Sequence, residues 1–293
     1  MLKITCSILC YNYGRYLAQA IDSCLNQEKG EYELEILVID DGSTDNTPEV
    51  CQRYKDFIRV VRSENQGFGA SLDRAIIEAS GDYVCLLDAD DYFASNKILS
   101  LLPFIQQSYL YIEHTKYFIN SDDKLINSQV QEGGNTSTIC IKREAALSLL
   151  PVQNEIFFHP LNSAGHGVKL DIPLSYYRIH DASMLGSKSA SAWHRHLAEI
   201  THELADKLLL MAHSPPNWAN AQTLKKISRE YRAIAYYDAM EAALHIGQRK
   251  QALLAGIGIL FAAIQSKSGV TIWHLKAIIR GGVLGRAISF ERR

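Results

Sequence analysis

Neither sign of charge dominates this chain: 30 Lys and Arg stand against 32 Asp and Glu in 293 residues, a net charge of −2. That balance excludes a globally basic nucleic-acid binder. Cysteine is sparse. Cys6, Cys10, Cys24, Cys51, Cys85 and Cys140 form no Cys-x-x-Cys pair, so neither a disulfide scaffold nor a zinc site is indicated. They lie mostly in apolar runs and read as small buried hydrophobes. Long apolar runs are missing too: the most apolar stretch, 252–264, has 13 residues and contains Gly256 and Gly258. A spanning helix needs about 20, so this stretch reads as a packed or interfacial helix. No ordered basic, apolar and small-residue leader opens the sequence, and a cytoplasmic location is expected. The G-x-G-x-x-G fingerprint and the Walker lysine are both absent, which disfavours a dinucleotide dehydrogenase and a P-loop enzyme.

What is present is an alternation of strand and helix signals over residues 1–90. Apolar runs at 4–9, 34–39, 58–61 and 83–87 read as strands. Leu17, Ala20, Ile21, Cys24 and Leu25 recur at helical spacing. Thr47-Pro48-Glu49 is a helix start, with Thr as cap, Pro at the first helical position and an acid in the first turn. Ala70–79 forms a third helical pattern, stopped by Ser80-Gly81. Such an alternation predicts an α/β fold: a mostly parallel sheet flanked by helices. From 96 to about 180 the pattern is mixed, with strands expected near 109–119, 137–141 and 174–179. Beyond 187 the periodicity becomes helical, led by Trp193, Leu197, Ile200, Leu204 and Leu208. We therefore expect an α/β domain over 1–185 and an α-helical region over 186–293.

Ligands of parallel sheets sit beyond the carboxyl ends of the strands. Polar residues follow all four strands here: Cys10-Tyr11-Asn12-Tyr13, Asp40-Asp41-Gly42-Ser43, Ser63-Glu64-Asn65-Gln66-Gly67 and Asp88-Ala89-Asp90-Asp91. Three carboxylates within four residues repel each other unless a cation or a set of donors neutralises them. Hard oxygen ligands beside a diphosphate suit Mg²⁺ or Mn²⁺, although a solvated acidic turn has the same composition. Asp40-Asp41-Gly42-Ser43 reads equally as a base- or ribose-binding strand end and as an Asx-turn. Tyr11 and Tyr13 offer faces for stacking a base, or for ordinary packing.

These four segments, in this order, resemble the nucleotide-sugar-dependent glycosyltransferases of family 2, with the GT-A fold. The likeness is carried by Ile8-Leu9-Cys10-Tyr11-Asn12-Tyr13, Leu37-Val38-Ile39-Asp40-Asp41-Gly42-Ser43-Thr44-Asp45, Glu64-Asn65-Gln66-Gly67 and Leu86-Leu87-Asp88-Ala89-Asp90-Asp91. It implies donor binding by Tyr11, Asp41 and Asn65, with Asp88 on the ribose. Asp90 would hold a Mn²⁺ or Mg²⁺ ion bridging the diphosphate. It also implies a mobile segment at Tyr177-Arg178-Ile179-His180, in which Arg178 would pair with phosphate and His180 would face the metal. The expected donor is a UDP-sugar and the expected acceptor a glycan or a lipid-linked sugar, with no nucleic-acid partner.

An inverting transferase needs a base for the acceptor's proton. The family supplies it from an acidic pair before the last strand. Here 154–167 contains no such pair, and Glu155 is its only acid. Glu155 and His159 are the candidates, with His166, Asp171 and Asp181 more remote. Ser71-Leu72-Asp73-Arg74 also replaces the family's Ala-Arg-Asn. The alternative reading is therefore a catalytically degenerate GT-A protein that binds a nucleotide sugar, or a partner, without efficient transfer. The basic, apolar segment 270–293 carries a further expectation, peripheral contact with the inner face of a membrane.

Overall fold

The computed structural model describes residues 1–180 and 189–265. The chain forms two compact units, Met1–His180 and Asp181–Arg293. The boundary expected at 185, and Asp181, lie outside the described residues.

The first unit is α/β. Its elements run β1 (Leu2–Cys10), α1 (Gly14–Leu25), β2 (Tyr32–Asp40), α2 (Thr47–Arg53), β3 (Arg59–Arg62), α3 (Phe68–Ile77), β4 (Tyr83–Asp88), β5 (Tyr92–Phe93), α4 (Lys97–Gln106), β6 (Tyr111–Ile119), β7 (Ile139–Lys142), α5 (Arg143–Leu147) and β8 (Gly167–Arg178). One eight-stranded sheet has the order β3-β2-β1-β4-β7-β6-β8-β5. The strands β3, β2, β1 and β4 are mutually parallel. Beyond β4 the sheet becomes mixed: β7 is antiparallel to β4 and β6, β8 is parallel to β6, and β5 is antiparallel to β8.

The parallel half matches the sequence pattern for a physical reason. Strands covered on both faces need side chains that are apolar at consecutive positions. Ile36, Leu37, Val38 and Ile39 of β2 are buried, as are Val84, Cys85, Leu86 and Leu87 of β4. The helix α1 buries Leu17, Ala20, Ile21 and Cys24, the stripe its spacing predicts. All six cysteines are buried and free. Two elements escape the sequence pattern. The two-residue strand β5 is too short for a periodicity, and β8 begins at Gly167, inside a stretch whose Pro, Asn and Gly content reads as irregular.

A register shift between β6 and β8 affects the site directly. His114 pairs with Leu170, Thr115 with Pro173 and Lys116 with Ser175. Proline cannot donate to the ladder, and such irregularities re-aim neighbouring side chains.

The second unit is helical: α6 (Ala190–Met211), α7 (Ala221–His245) and α8 (Arg249–Gln265). Ser189 and Asn220 cap α6 and α7 through the N–H groups of Ala192 and Thr223. Ile200, Leu204 and Leu208 of α6 are buried, as the period predicts. Among the described residues no helix is long and apolar enough to cross a membrane. The basic segment 270–293 lies outside the described residues.

Candidate functional site

The carboxyl ends of β1 and β2 are tied together by side chains that bind backbone. Asn12, at φ +57°, donates its N–H to the Ser43 hydroxyl oxygen at 2.9 Å and accepts Thr44 N–H on its side-chain oxygen at 2.7 Å. Asp40 accepts Ser43 N–H at 2.9 Å and stands 3.4 Å from an Arg62 nitrogen. The two oxygens of Asp41 take the N–H groups of Gln66 and Gly67, each at 2.9 Å. Asp41 thereby fastens the loop after β3 to the end of β2. Gly42 makes this approach possible: at φ +77° any Cβ there would lie 2.7 Å from Asn65 N. Tyr11 and Asn65 are exposed on this rim, Tyr11 at 47%.

The acidic segment at the end of β4 has a different character. Asp91 is buried and accepts the Ser137 hydroxyl at 2.6 Å and Arg178 N–H at 2.8 Å. The same Ser137 hydroxyl accepts Asp88 N–H at 3.1 Å. Behind Ser137, the fully buried Lys97 ammonium donates to its carbonyl at 3.0 Å and lies 3.5 Å from the centre of the Phe93 ring. Asp90 places Oδ2 3.0 Å from His180 Nε2. His180 in turn stands edge-on to Tyr13, with ring centres 5.6 Å apart.

Arg178 is 1% exposed, and its donors are all engaged within the protein. Nε gives to the Asp90 carbonyl at 2.7 Å, Nη1 to the Asn120 carbonyl at 3.2 Å, and Nη2 to Gln19 Oε1 at 2.6 Å and Asp123 Oδ1 at 2.7 Å. Its guanidinium also covers the Tyr16 ring at 4.5 Å. Arg178 thus clamps the acidic loop from within the protein.

Two elements from the second half of the unit bring further charge to the acids. Glu155 opens a 3₁₀ turn (Glu155–Phe158) whose start is fixed by the Asn154 side chain accepting Ile156 N–H at 2.8 Å. Burial pushes the Glu155 carboxyl up to about 7, against the pull of its own backbone N–H and of Lys116. Lys116 is buried on β6, donates to Asn135 Oδ1 at 2.7 Å and stands 5.1 Å from the Tyr177 ring centre. Burial lowers the Lys116 ammonium, and Asp91, Glu113, Glu155 and Asp88 draw it back up. Burial raises Asp88 well above the carboxylate range, reinforced by Asp91, Asp90 and Glu155 and opposed by Lys116. Asp91 is raised likewise, by burial and Asp90. Tyr177 is raised by burial and by the same four acids.

Of the two candidate bases, only Glu155 joins this group. His159 packs edge-on to Tyr111 with centres 5.7 Å apart; its charged neighbours are Glu113 and Lys169, and burial lowers it to about 4. His166 and Asp171 are exposed. The sequence pattern assigns no role to Lys116 or Ser137, and none to Tyr177 beyond its place in the segment 177–180. The available signal was a single lysine inside an otherwise strand-like run, 111–119.

Among the described residues, no three His, Cys, Asp or Glu side chains are placed to hold a metal ion by themselves. Asp90 Oδ2 and His180 Nε2 are hydrogen-bonded to each other, and the same spacing would serve a partly protein-bound cation in place of that proton. Two ligand atoms about 2.1 Å from an octahedral ion stand about 3.0 Å apart when adjacent, which is their separation here.

The profile of a family described as "Glycosyl transferase family 2" matches residues 5–162. An uncharacterized glycosyltransferase of Nostoc sp. is 29% identical over 215 residues, 62% of this chain and 66% of that protein. The chain thus spans just under two thirds of that relative's length. The Escherichia coli protein WfaP, a UDP-Glc:alpha-D-GlcNAc-diphosphoundecaprenol beta-1,3-glucosyltransferase, is 25% identical over 64% of this chain and 82% of its own. Staphylococcus aureus TarS 1–349, solved with UDP-GlcNAc, shares the fold over 97% of this chain and 89% of its own, with a TM-score of 0.67 and 15% identity. The Pyrobaculum calidifontis mannosyltransferase PcManGT, solved with GDP-Man and Mn²⁺, does so over 96% and 79%, with a TM-score of 0.53 and 17% identity.

Proposed function

The chain belongs to glycosyl transferase family 2, and from that membership we propose that it moves a sugar from a nucleotide-diphosphate donor, a UDP-sugar, to a hydroxyl of a sugar or cell-envelope glycan, with inversion. One observation carries the reading: Asp88, Asp90, Asp91 and Glu155 converge at the carboxyl end of β4, with Glu155 poised at about 7.

Tyr11 stacks the base, and Asn65 and Asp41 line the same rim. Each Asp41 oxygen keeps a second lone pair beyond the loop amide that it holds. Asp88 meets the ribose. Asp90 and His180 would hold Mn²⁺ or Mg²⁺, which when bound would neutralise the negative charge growing on the leaving diphosphate. Arg178 keeps Asp90 and Asp91 in place.

Glu155 acts as the base. It takes the acceptor hydroxyl's proton as that oxygen attacks the anomeric carbon and the bond to the diphosphate oxygen breaks. A carboxyl near 7 is well matched to this task at neutral pH. Lys116 faces Glu155 and Asp88 and limits the repulsion among the acids. The relative WfaP, whose name gives a diphosphoundecaprenol-linked acceptor, supports a lipid-linked acceptor, and we place the protein in the cytoplasm, with the helical region making peripheral contact at the inner face of a membrane.

The test is a transfer assay with a panel of UDP-sugars and Mn²⁺, run beside thermal unfolding with the same donors. Ligand that binds only the native state must raise the midpoint. Transfer that is lost in Asp90→Ala and Glu155→Gln supports the proposal. A midpoint shift without transfer identifies the non-catalytic alternative, and neither shift nor transfer overturns both.

A further inference from the structure

The helix α8 is apolar on two sides, and the described residues cover only one of them. Ala252, Ile259 and Ala262 are buried, and α8 packs through this side on Tyr236, Met240 and Ala243 of α7. Gly258 lies so near that an added Cβ would be 2.7 Å from the Tyr236 ring. The outer side should then carry charge, as surface helices do. Instead Leu253, Leu254, Ile257, Leu260 and Phe261 are exposed, Leu254 at 60% and Phe261 at 62%. These positions, spaced one, four, seven and eight from the first, form one continuous stripe. No charged residue occurs between Lys250 and Lys267. Large contiguous apolar patches on a surface mark interaction sites.

Charge selects the occupant. Arg249 and Lys250, both exposed, stand at the start of the stripe. Over 249–293 there are eight Lys and Arg and one acid, Glu291; over 1–248 there are 22 against 31. A second copy of the chain would bring two such basic ends together, and like charges oppose that pairing. A surface that is anionic outside and apolar beneath complements both features. An anionic bilayer is such a surface.

We infer that the uncovered face of α8 lies on an anionic lipid bilayer, with Leu254 and Phe261 entering the headgroup and acyl boundary and the basic flanks meeting lipid phosphates. This rests on the peripheral-contact reading above and assigns it to a particular face. The helix lies along the surface and does not span it: the apolar run 252–264 has 13 residues, short of the about 20 that a span needs. Apolar insertion supplies the part of the affinity that salt cannot screen, and the cations supply the rest.

The experiment is co-sedimentation of the full chain with vesicles of equal parts phosphatidylglycerol and phosphatidylcholine, against phosphatidylcholine alone, at low and high salt. Wild type is expected to bind the mixed vesicles and to retain a salt-resistant fraction. The double variant Leu254→Asp/Phe261→Asp is expected to partition at least on the order of a hundredfold more weakly, since two large apolar groups no longer leave water. Both positions are exposed, so its helical circular dichroism and thermal midpoint should match wild type. Lys250→Glu, which leaves the stripe intact, should lose salt-sensitive binding only. Equal binding of the double variant and wild type overturns the assignment to α8 while peripheral contact survives. No binding by wild type overturns both. A lipid-free dimer that the double variant dissociates, seen by analytical ultracentrifugation, shows that a second copy covers the stripe and overturns the inference.

Discussion

The Ser137 hydroxyl donates to Asp91 Oδ2 at 2.6 Å while accepting the backbone N–H of Asp88 at 3.1 Å. One side chain from a 3₁₀ turn (Thr136–Thr138) thus fixes both ends of a four-residue acidic segment. Ser137→Ala leaves the buried Asp91 with one partner fewer, which costs about 1–3 kcal/mol of stability. Displacing the reacting geometry by an ångström can cost on the order of a hundredfold in rate. We therefore expect the variant to lose more in turnover than in thermal midpoint, with Ser137→Thr restoring part of it. Equal turnover in Ser137→Ala would remove Ser137 from the site.

Lys97 supports the same turn from inside the core. Lys97→Met keeps the side-chain volume and removes a buried ammonium, whose solvation cost in apolar surroundings is large. The expected result is a thermal midpoint at or above wild type, with reduced turnover. A lowered midpoint with unchanged kinetics would make Lys97 a packing residue only.

Glu155 carries a pH prediction. Its carboxyl rises from 4.5 to about 7 on folding, because of burial. As a base it must be ionised, so kcat/KM should fall below about pH 7 along a single-proton limb. Glu155→Gln should lower kcat by about 10²–10⁴ with donor binding retained. The stability sign follows from linkage. Between pH 4.5 and about 7 the folded protein binds more protons at this site than the unfolded chain does, so this residue's contribution to stability declines as pH rises through that window. Denaturant unfolding at pH 5 and pH 8 should show that decline in wild type and a smaller one in Glu155→Gln.

Asp90 and His180 should act together. Asp90→Ala is expected to abolish the Mn²⁺-dependent part of the donor-induced midpoint shift, and His180→Ala to weaken it. Titration with EDTA should mimic Asp90→Ala in wild type and change nothing further in that variant. Full donor binding in EDTA would oppose the metal assignment.

Arg178 should be structural first. It is buried with partners on three segments of the chain, at Gln19, Asp90 and 120–123. Its charged partner Asp123 is half-exposed, so the loss comes mainly from neutral acceptors left unpaired, each costing about 1–3 kcal/mol when buried. Arg178→Met should lower the midpoint sharply even without donor, and Arg178→Lys should recover little, because a lysine cannot reproduce the planar fork. A stable Arg178→Met that fails only to bind donor would support the phosphate contact instead.

The sequence by itself determined the parallel half of the sheet, the helices of the second unit and the rim of polar strand ends. Each of these is written in short-range periodicity: consecutive apolar positions for doubly covered strands, three-four spacing for helices, and a polar break where a strand leaves the sheet. Asp41, Asp88 and Asp90 were legible because they occupy such breaks. Only the tertiary structure decided what each of them touches. Glu155 reaches the acids of β4 because a 3₁₀ turn some 65 residues later in the chain is packed there. Lys116 joins them from beside a register shift at Pro173, and Arg178 turns inward because Asp90, Asn120, Gln19 and Asp123 offer it acceptors there. Periodicity fixes which face a side chain leaves from. Long-range packing and electrostatic pairing fix its neighbours, and no local pattern encodes a partner from a distant part of the chain.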